Sequence, residues 1–343
     1  MMVKARRYLS SVWYTSRHPL GYVLVPLSWL FRAVVSIRRF VYRHHLATIY
    51  HPGIPVIVVG NITTGGTGKT PLVIWLAGFL RSHGFRPGIV VRGYGGQATV
   101  WLQWVQPDSD PNTVGDEAVL LARRTGCPVV AAPDRTAAVK ALMATTDCNL
   151  ILSDDGLQHY ALGRDVEIAV MDGARGYGNG HCLPAGPLRE PVSRLGNVDL
   201  VVEHVSGRKA ENGGGRYAMW LVPGDPRDAA DKRQDAISVD DFKRSVVHAV
   251  CGIGNPDRFF RTLIKLGLAI KTHPFPDHHP FQASDILFED RFPVLMTEKD
   301  AVKCRDFAES RHWYLPVDAN LEPAFGTRLL TLLRGMPIGQ KTS

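Results

Sequence analysis

The sequence predicts an α/β fold with a mostly parallel sheet flanked by helices, and three observations support this prediction. Short apolar strand candidates alternate with helical patterns from residue 51 onward, as expected of parallel strands joined by helices. A glycine-rich loop joins the first of these strands to the first helix, and a later strand candidate ends in two aspartates. With 343 residues and 45% hydrophobic content, the chain can bury one large core or two moderate ones.

The elements follow in a regular order along the chain. The first strand candidates are 56–59, 88–91, 128–131, 149–152, 167–171 and 199–202, with helical patterns near 71–83, 115–125 and 134–145. A polar, glycine-rich stretch at 206–216 then predicts a loop or a domain edge. Further strand candidates are 246–250, 268–272, 294–296 and 313–316, before a closing helix at 322–334. The pattern of this second part predicts that it either extends the same sheet or forms a smaller α/β lobe.

Positive charge is concentrated in the N-terminal third of the chain. Residues 1–107 contain twelve Lys and Arg and no Asp or Glu, which leaves 28 basic against 32 acidic residues in the rest. An apolar run with aromatic edges extends from Pro19 to Phe40 and is interrupted by Pro26 and Arg32. The flanking arginines are Arg6, Arg7, Arg17, Arg38, Arg39 and Arg43.

This combination favours a helix that lies in a membrane interface. Only about twelve apolar residues precede Arg32, whereas a spanning helix needs about twenty, so we do not expect the run to cross a bilayer. A cleaved signal peptide fits poorly, because the apolar part starts late and leads to no small-residue cleavage site. The alternative is an ordinary helix docked on a soluble protein. Nucleic-acid binding is disfavoured because no recognised module accompanies the basic residues.

The five cysteines indicate a reducing compartment. They are odd in number and scattered, and they form neither a CxxC pair nor a metal-ligand spacing. The positions are Cys127, Cys148, Cys182, Cys251 and Cys304.

The loop at residues 60–70, GNITTGGTGKT, is a near match to the phosphate-binding P-loop pattern G-x-x-x-x-G-K-[ST], and Thr63 stands where the first glycine would be. Its remaining glycines still allow backbone N–H groups to point at phosphate oxygens, and the following helix aims its positive end there. Lys69 is expected to reach the β- and γ-phosphates of ATP, and Thr70 to hold Mg²⁺. The predicted nucleotide-binding residues are Thr63, Thr64, Gly65, Gly66, Thr67, Gly68, Lys69 and Thr70. The alternative is a glycine-rich turn before a helix.

About 80 residues after the phosphate loop, an apolar strand candidate ends in two carboxylates. Asp154 and Asp155 have the form of a Walker B element that would anchor Mg²⁺, although a cap or turn is the alternative. A GTPase would need N/T-K-x-D, but in the string Thr297-Glu298-Lys299-Asp300 the lysine is one position late. That string instead predicts a loop near the nucleotide, or a helix capped by Thr297.

A kinase also needs a base near its acceptor hydroxyl. Asp116 lies in a VGDE string at a helix start, where capping is the alternative role. His278 and His279 lie in a proline-bounded loop, but adjacent histidines point apart and no third ligand is nearby, which disfavours zinc. A pair of Asp116 and His278 would suit proton removal, although spacing cannot establish it.

Taken together, these strings resemble the tetraacyldisaccharide 4'-kinases of lipid A biosynthesis, which are membrane-associated P-loop enzymes of Gram-negative bacteria. The strings are VGNITTGGTGKTP, VRGYGG, VGDEAVLLARR, SDDGLQHYALGRD, GNGHCLPAGPLRE, CGIGNPDRFF, FPDHHPF and TEKDAVKC. They extend from Val59 to Cys304, and a P-loop without its first glycine also fits that family.

The resemblance implies transfer of the γ-phosphoryl group of ATP to the 4'-hydroxyl of tetraacyldisaccharide 1-phosphate, giving lipid IVA. It implies Asp116, His278 and Lys69 as catalytic residues. The implied metal residues are Thr70, Asp154 and Asp155. Residues implied to line the substrate site are Tyr94, Arg135, Arg189 and Glu190.

The resemblance also implies an organisation and a place in the cell. The expected parts are a membrane-association segment at 1–50, a P-loop core at 51–210 and a C-terminal α/β part at 211–343 that completes the active site. The expected partners are the lipid substrate and the membrane surface, with no nucleic acid and no protein partner inferred. The expected location is the cytoplasmic face of the bacterial inner membrane, as a peripheral or monotopic protein. The competing interpretation is a nucleotide-driven switch protein that hydrolyses ATP without phosphorylating an acceptor.

Overall fold

The computed structural model describes residues 12–15, 18–205, 215–230 and 236–334. Arg6, Arg7, Arg17 and most of the predicted glycine-rich loop, 206–214, lie outside the described residues. The helices are α1 Pro19–Arg43, α2 Lys69–Ser82, α3 Pro111–Val114, α4 Asp116–Thr125, α5 Arg135–Thr145, α6 Pro256–Lys265, α7 Ala283–Ile286, α8 Glu298–Cys304 and α9 Pro323–Arg334.

The strands span both halves of the sequence. They are β1 Val56–Gly60, β2 Pro87–Val91, β3 Gln103–Val105, β4 Val129–Ala131, β5 Leu150–Ser153, β6 Val166–Asp172, β7 Leu200–His204, β8 Arg216–Pro223, β9 Arg227–Asp228, β10 Val246–Cys251, β11 Ala269–Pro274, β12 Val294–Thr297, β13 His312–Leu315 and β14 Val317–Leu321. Every strand and helix predicted from the sequence is present, with ends shifted by one or two residues in most cases.

The chain divides into two compact units, and neither is continuous in sequence. The first unit comprises Met1–Arg92, Asp134–Trp220 and Asn320–Ser343, and the second comprises Gly93–Pro133 and Leu221–Ala319. The sequence-based division at residue 210 therefore differs from the structure, because residues 93–133 group with the later part of the chain and Asn320–Ser343 groups with the first unit. The α/β pattern runs through this segment without a change of composition, so the sequence gives no signal of the exchange.

The first unit is built on a parallel sheet with the strand order β8-β7-β6-β1-β5-β2. All neighbouring pairs in this series are parallel. All five residues of β1 are buried, which agrees with its β-branched sequence VIVVG. Val58 pairs with Ser153, so the carboxyl ends of β1 and β5 meet at the same edge of the sheet. The predicted phosphate loop and the two aspartates both follow these ends, where α/β sheets bind ligands.

The second unit contains a five-stranded sheet with the order β11-β10-β12-β13-β9. Strands β10 to β13 pair in parallel, and the short β9 pairs antiparallel with β13. One buried cluster centres on Phe259, Leu263 and Trp313. Another contains Phe281, Ile286 and Met296. The prediction of an α/β fold with a second, smaller α/β part is confirmed.

Helix α1 is longer than the sequence pattern suggested. It runs for 25 residues through both Pro26 and Arg32, and it is long and apolar enough to cross a membrane by length and composition. The length argument against a spanning helix is therefore wrong, because it ended the helix at Arg32. Its exposed large apolar residues are Tyr22, Val23, Leu27, Trp29, Leu30, Val34, Ile37 and Phe40. On its buried side the Ser28 hydroxyl donates to the Cys182 carbonyl at 2.7 Å, which anchors α1 on the first unit.

Candidate functional site

The phosphate loop, residues 60–70, has the backbone conformation that its glycines predict. Gly65 and Gly68 have φ angles of +100° and +99°, which a residue with a side chain rarely adopts. Helix α2 begins at Lys69, directly after Gly68, so its N-terminal N–H groups face the loop. A Cβ atom built on Gly66 would meet nothing within 4 Å, which leaves the loop open to a ligand at that point.

Asn61 holds the phosphate loop from inside, a role that sequence reasoning missed. The side chain is fully buried, and its Nδ2 lies 3.4 Å from both the Gly65 carbonyl and the Thr67 hydroxyl. The Thr64 N–H donates to the Pro187 carbonyl at 2.8 Å, which fixes the outer side of the loop. The signal available in sequence is the position of Asn61, a small amide directly after a buried strand.

Lys69 does not project alone from the phosphate loop. Its Nζ lies 3.3 Å from Asp155 Oδ1, and Arg189 Nη1 lies 3.0 Å from both oxygens of the same carboxylate. Burial would raise the pKa of Asp155, but Lys69 and Arg189 offset this effect and hold that pKa well below its usual range. Asp155 is therefore a carboxylate that positions two cations, and the structure brings together three of the predicted site residues.

Asp154 and Arg135 are buried next to the cluster of Lys69, Asp155 and Arg189. Asp154 is 4% exposed, and its Oδ1 accepts the Asp155 N–H at 2.9 Å. Arg135 is 2% exposed and donates to the Asp154 carbonyl at 3.1 Å. Burial lowers the pKa of Arg135 to about 10, against the opposing effect of the two aspartates. This placement makes Arg135 a support for the β5 terminus.

Glu190 was predicted to line the substrate site, but the structure places it in the protein interior. The residue is fully buried, and its carboxylate accepts from Gln158 Nε2 at 2.8 Å and from the Tyr160 hydroxyl at 2.7 Å. Arg194 Nε lies 3.2 Å from the same carboxylate. These three partners give Glu190 a structural role in holding the chain beside Arg189.

The second unit contains the predicted acid–histidine pair. Asp116 is the first residue of α4 and is 4% exposed, while His278 lies 162 residues later in a left-handed conformation with φ of +60°. His278 Nδ1 lies 3.1 Å from Asp116 Oδ1. The Glu117 N–H also donates to Asp116 Oδ1 at 2.8 Å, but the N-cap of this helix is Gly115 and not Asp116. Asp116 Oδ2 is buried and has no hydrogen-bond partner among the described residues.

Two lysines of the string TEKDAVKC complete this cluster, and sequence reasoning did not assign them to it. Lys299 Nζ lies 2.9 Å from Glu117 Oε1 and 3.9 Å from Asp116 Oδ1. Lys303 Nζ lies 3.4 Å from Asp116 Oδ2. Their spacing of four residues on α8 puts both on one helix face. Burial alone would raise the pKa of Asp116, but Lys299, His278 and Lys303 together hold it well below its usual range.

The remaining predictions for this part of the chain concern Tyr94, His279 and Thr297. The Tyr94 ring meets the His278 ring edge-on at 4.8 Å between centroids, so the predicted substrate residue lies beside the pair. His279 bonds Asp285 at 2.9 Å, away from His278, and the described residues contain no group of metal-ligating side chains of the kind a zinc site needs. Thr297 caps α8 by accepting the Asp300 N–H at 3.2 Å, which confirms the capping interpretation of TEKD.

Comparison with known proteins gives a consistent result over nearly the whole chain. A family model described as "LpxK: Tetraacyldisaccharide-1-P 4'-kinase" matches residues 20–334. The tetraacyldisaccharide 4'-kinase of Nitrosococcus oceani is 56% identical over 322 residues, covering 94% of this chain and 93% of the relative. That of Alkalilimnicola ehrlichii is 51% identical over 313 residues, covering 90% of this chain and 91% of the relative.

A solved structure agrees with these sequence matches. LpxK from Aquifex aeolicus, crystallised in complex with ATP, superposes with a TM-score of 0.78 at 27% identity. The match covers 92% of this chain and 99% of that one. On the sequence matches and the shared fold, this chain belongs to the tetraacyldisaccharide 4'-kinase family.

Proposed function

We propose that this ATP-dependent kinase of lipid A synthesis uses its two units for different parts of one reaction. The first unit binds the triphosphate through the phosphate loop and Lys69. The second unit takes the proton from the 4'-hydroxyl of tetraacyldisaccharide 1-phosphate through Asp116. The observation that carries this proposal is the buried contact of 3.1 Å between Asp116 and His278, because a nucleotide switch would have no use for it.

The reaction is a phosphoryl transfer in which positioning and charge supply most of the catalysis. The 4'-hydroxyl oxygen forms a bond to the γ-phosphorus, the bond from that phosphorus to the β–γ bridging oxygen breaks, and ADP leaves. The hydroxyl proton passes to Asp116. In the first unit, Lys69 exchanges its ion pair with Asp155 for phosphate oxygens, while Arg189 keeps the Asp155 charge balanced.

Mg²⁺ is the metal that this donor set fits. Thr70 at the start of α2 and Asp154 directly after β5 supply a hydroxyl and a carboxylate. These are oxygen ligands of the kind that hold Mg²⁺ together with substrate phosphates. Asp155 is the less suitable of the two aspartates, because both its oxygens contact cations. When bound, the ion would neutralise negative charge on the β- and γ-phosphates.

The proposal is tested by identifying the product. The intact chain in detergent micelles should convert tetraacyldisaccharide 1-phosphate and ATP into a bis-phosphorylated lipid with the new phosphate at the 4' position, as shown by mass spectrometry and ³¹P NMR. Chelation of divalent cations should stop the reaction, and added Mg²⁺ should restore it. Consumption of ATP without a new lipid phosphate would overturn the kinase proposal in favour of the switch protein.

We propose that α1 attaches the enzyme to the membrane that holds its lipid substrate, at the cytoplasmic face of the inner membrane. Its large apolar side chains are exposed, with Trp29 and Leu30 at 65% and 63%. Arg32, Arg38 and Arg43 project from the same helix and suit the phosphates of anionic lipids. An apolar, basic and aromatic helix of this kind gains free energy at a membrane that it cannot gain in water.

A charge placed on this helix should release the protein from membranes. Leu30→Asp removes a side chain worth about 1.5–3 kcal/mol when buried, so vesicle partitioning should fall roughly 10- to 100-fold. Co-sedimentation with vesicles of phosphatidylethanolamine and phosphatidylglycerol measures this change. Ile264→Asp is the matched control, because Ile264 is 58% exposed on α6 of the second unit and should leave partitioning unchanged. Equal partitioning of Leu30→Asp and the intact protein would contradict the attachment.

A further inference from the structure

His278 has two ring nitrogens, and only one can carry the proton in the neutral ring. Nδ1 faces Asp116 Oδ1 at 3.1 Å, and Nε2 faces Lys299 Nζ at 3.3 Å. A lysine ammonium donates hydrogen bonds and accepts none. Nε2 must therefore be the acceptor in this contact, which leaves the ring proton on Nδ1, where it is donated to Asp116.

The other groups around His278 support the same tautomer. Asp277 Oδ1 is the competing partner for Nε2, but at 3.6 Å it lies beyond hydrogen-bond range. Asp277 Oδ1 also lies 3.6 Å from Lys299 Nζ, which offsets its charge. The Tyr94 ring packs on the imidazole edge-on. A Cβ atom on Gly95 would lie 3.3 Å from Nδ1, so the backbone there restricts movement of the ring.

Lys299 itself is fixed by the carboxylates that surround it. Glu117, Asp277 and Asp116 lie 2.9, 3.6 and 3.9 Å from its Nζ. Burial would lower the pKa of Lys299, but these three carboxylates raise it well above the ordinary value. The ammonium is therefore a permanent donor. Lys303 Nζ lies 3.4 Å from Asp116 Oδ2 and 3.0 Å from Asp300 Oδ1.

We propose that Lys299 is a positioning residue that sets the tautomer of His278 and thereby orients the Asp116 carboxylate. The proton on Nδ1 occupies Asp116 Oδ1, together with the Glu117 N–H. Oδ2 accepts no hydrogen bond among the described residues, although the Lys303 ammonium lies 3.4 Å away, and it is therefore the oxygen left to receive the proton of the 4'-hydroxyl. This inference rests on the proposed role of Asp116 as the base, and it identifies the atom of that residue that acts.

The test separates hydrogen bonding from charge with two substitutions at one position. Lys299→Gln keeps an N–H donor for Nε2 without the charge, whereas Lys299→Met removes both. Either variant removes the cation that balances the carboxylates around position 299, so each is also made together with Glu117→Gln. Thermal unfolding confirms that every variant is folded. The full chain is labelled with ¹⁵N-histidine, and the signal lost in His278→Gln assigns His278.

The expected result is the Nδ1–H tautomer in the intact protein and in Lys299→Gln, and its loss in Lys299→Met, where Nε2 no longer faces an ammonium and can take up a proton beside Asp277. The kcat of Lys299→Met should fall roughly 10- to 100-fold, below the full cost of losing a base, with the KM for ATP unchanged and partial recovery in Lys299→Gln. An Nε2–H signal in the intact protein, an unchanged tautomer in Lys299→Met, or a changed tautomer with unchanged kcat would each overturn the proposal. The NMR measurement of the tautomer needs no turnover, so its outcome does not depend on whether Asp116 is the base. Asp116→Asn tests that role separately.

Discussion

Lys69→Met should lower kcat roughly 10²–10³-fold, the cost of removing one donor that stabilises transition-state charge. In the proposed mechanism, Lys69 at the start of α2 contacts the transferring phosphoryl group. The substitution removes its charge while keeping most of its length, so the loop should keep its conformation. The measurement is the initial rate of 4'-phosphorylation at saturating ATP, together with the affinity for ATP by calorimetry.

Two controls make this result specific. Lys265→Met removes an exposed lysine at the end of α6 and should leave kcat unchanged. Asp155→Asn breaks the ion pair to Lys69 without removing the lysine, so its effect on kcat should be smaller than that of Lys69→Met. Asp155 keeps Arg189 as a partner in Lys69→Met, so the variant does not leave an isolated, partly buried carboxylate. A kcat within twofold of the intact enzyme would remove Lys69 from the chemistry.

The fold was predictable because each main element carries its own local signal. The β-branched run VIVVG, the glycines at 65, 66 and 68, and the apolar strand before Asp154 each identify an element without reference to the rest of the chain. Parallel strands then place the phosphate loop and Asp154 at one sheet edge, which the register of Val58 with Ser153 confirms. Local pattern and sheet geometry were sufficient for the first unit.

The second unit was harder, because its site depends on contacts between distant residues. Proton-transfer chemistry suggested the pairing of Asp116 with His278 and the family resemblance implied it, whereas spacing could not establish it. Lys299 and Lys303 were missed because TEKD was interpreted as a loop near the nucleotide or as a helix cap, although their spacing of four residues was a signal of a shared helix face. Glu190 was assigned to the substrate site because the family resemblance implied it, and sequence does not show the three donors that surround its buried carboxylate.

Asp116→Asn should lower kcat roughly 10²–10⁴-fold, the usual contribution of a general base. Asparagine keeps the shape of the side chain and an acceptor oxygen for His278, but it cannot take a proton from the 4'-hydroxyl. Since the phosphate loop belongs to the first unit, the affinity for ATP should not change. Glu117→Gln is the matched control for local charge, because it neutralises the neighbouring carboxylate that contacts Lys299, and it should lower kcat less than Asp116→Asn. An equal loss in both variants would mean that local charge, and not the base, was removed.

The low pKa of Asp116 affects both the expected proton transfer and the expected pH dependence of kcat. A carboxylate that Lys299, His278 and Lys303 keep ionised is a weak base, so it would suit a loose transition state in which the proton leaves the hydroxyl late. Because these cations hold its pKa well below the usual carboxyl range, its protonation should not appear in the pH dependence of kcat near neutral pH. The informative comparison is the double variant Asp116→Asn with His278→Gln. If the two residues act as one unit, its kcat should be close to that of the more damaged single variant, whereas multiplied losses would show independent roles.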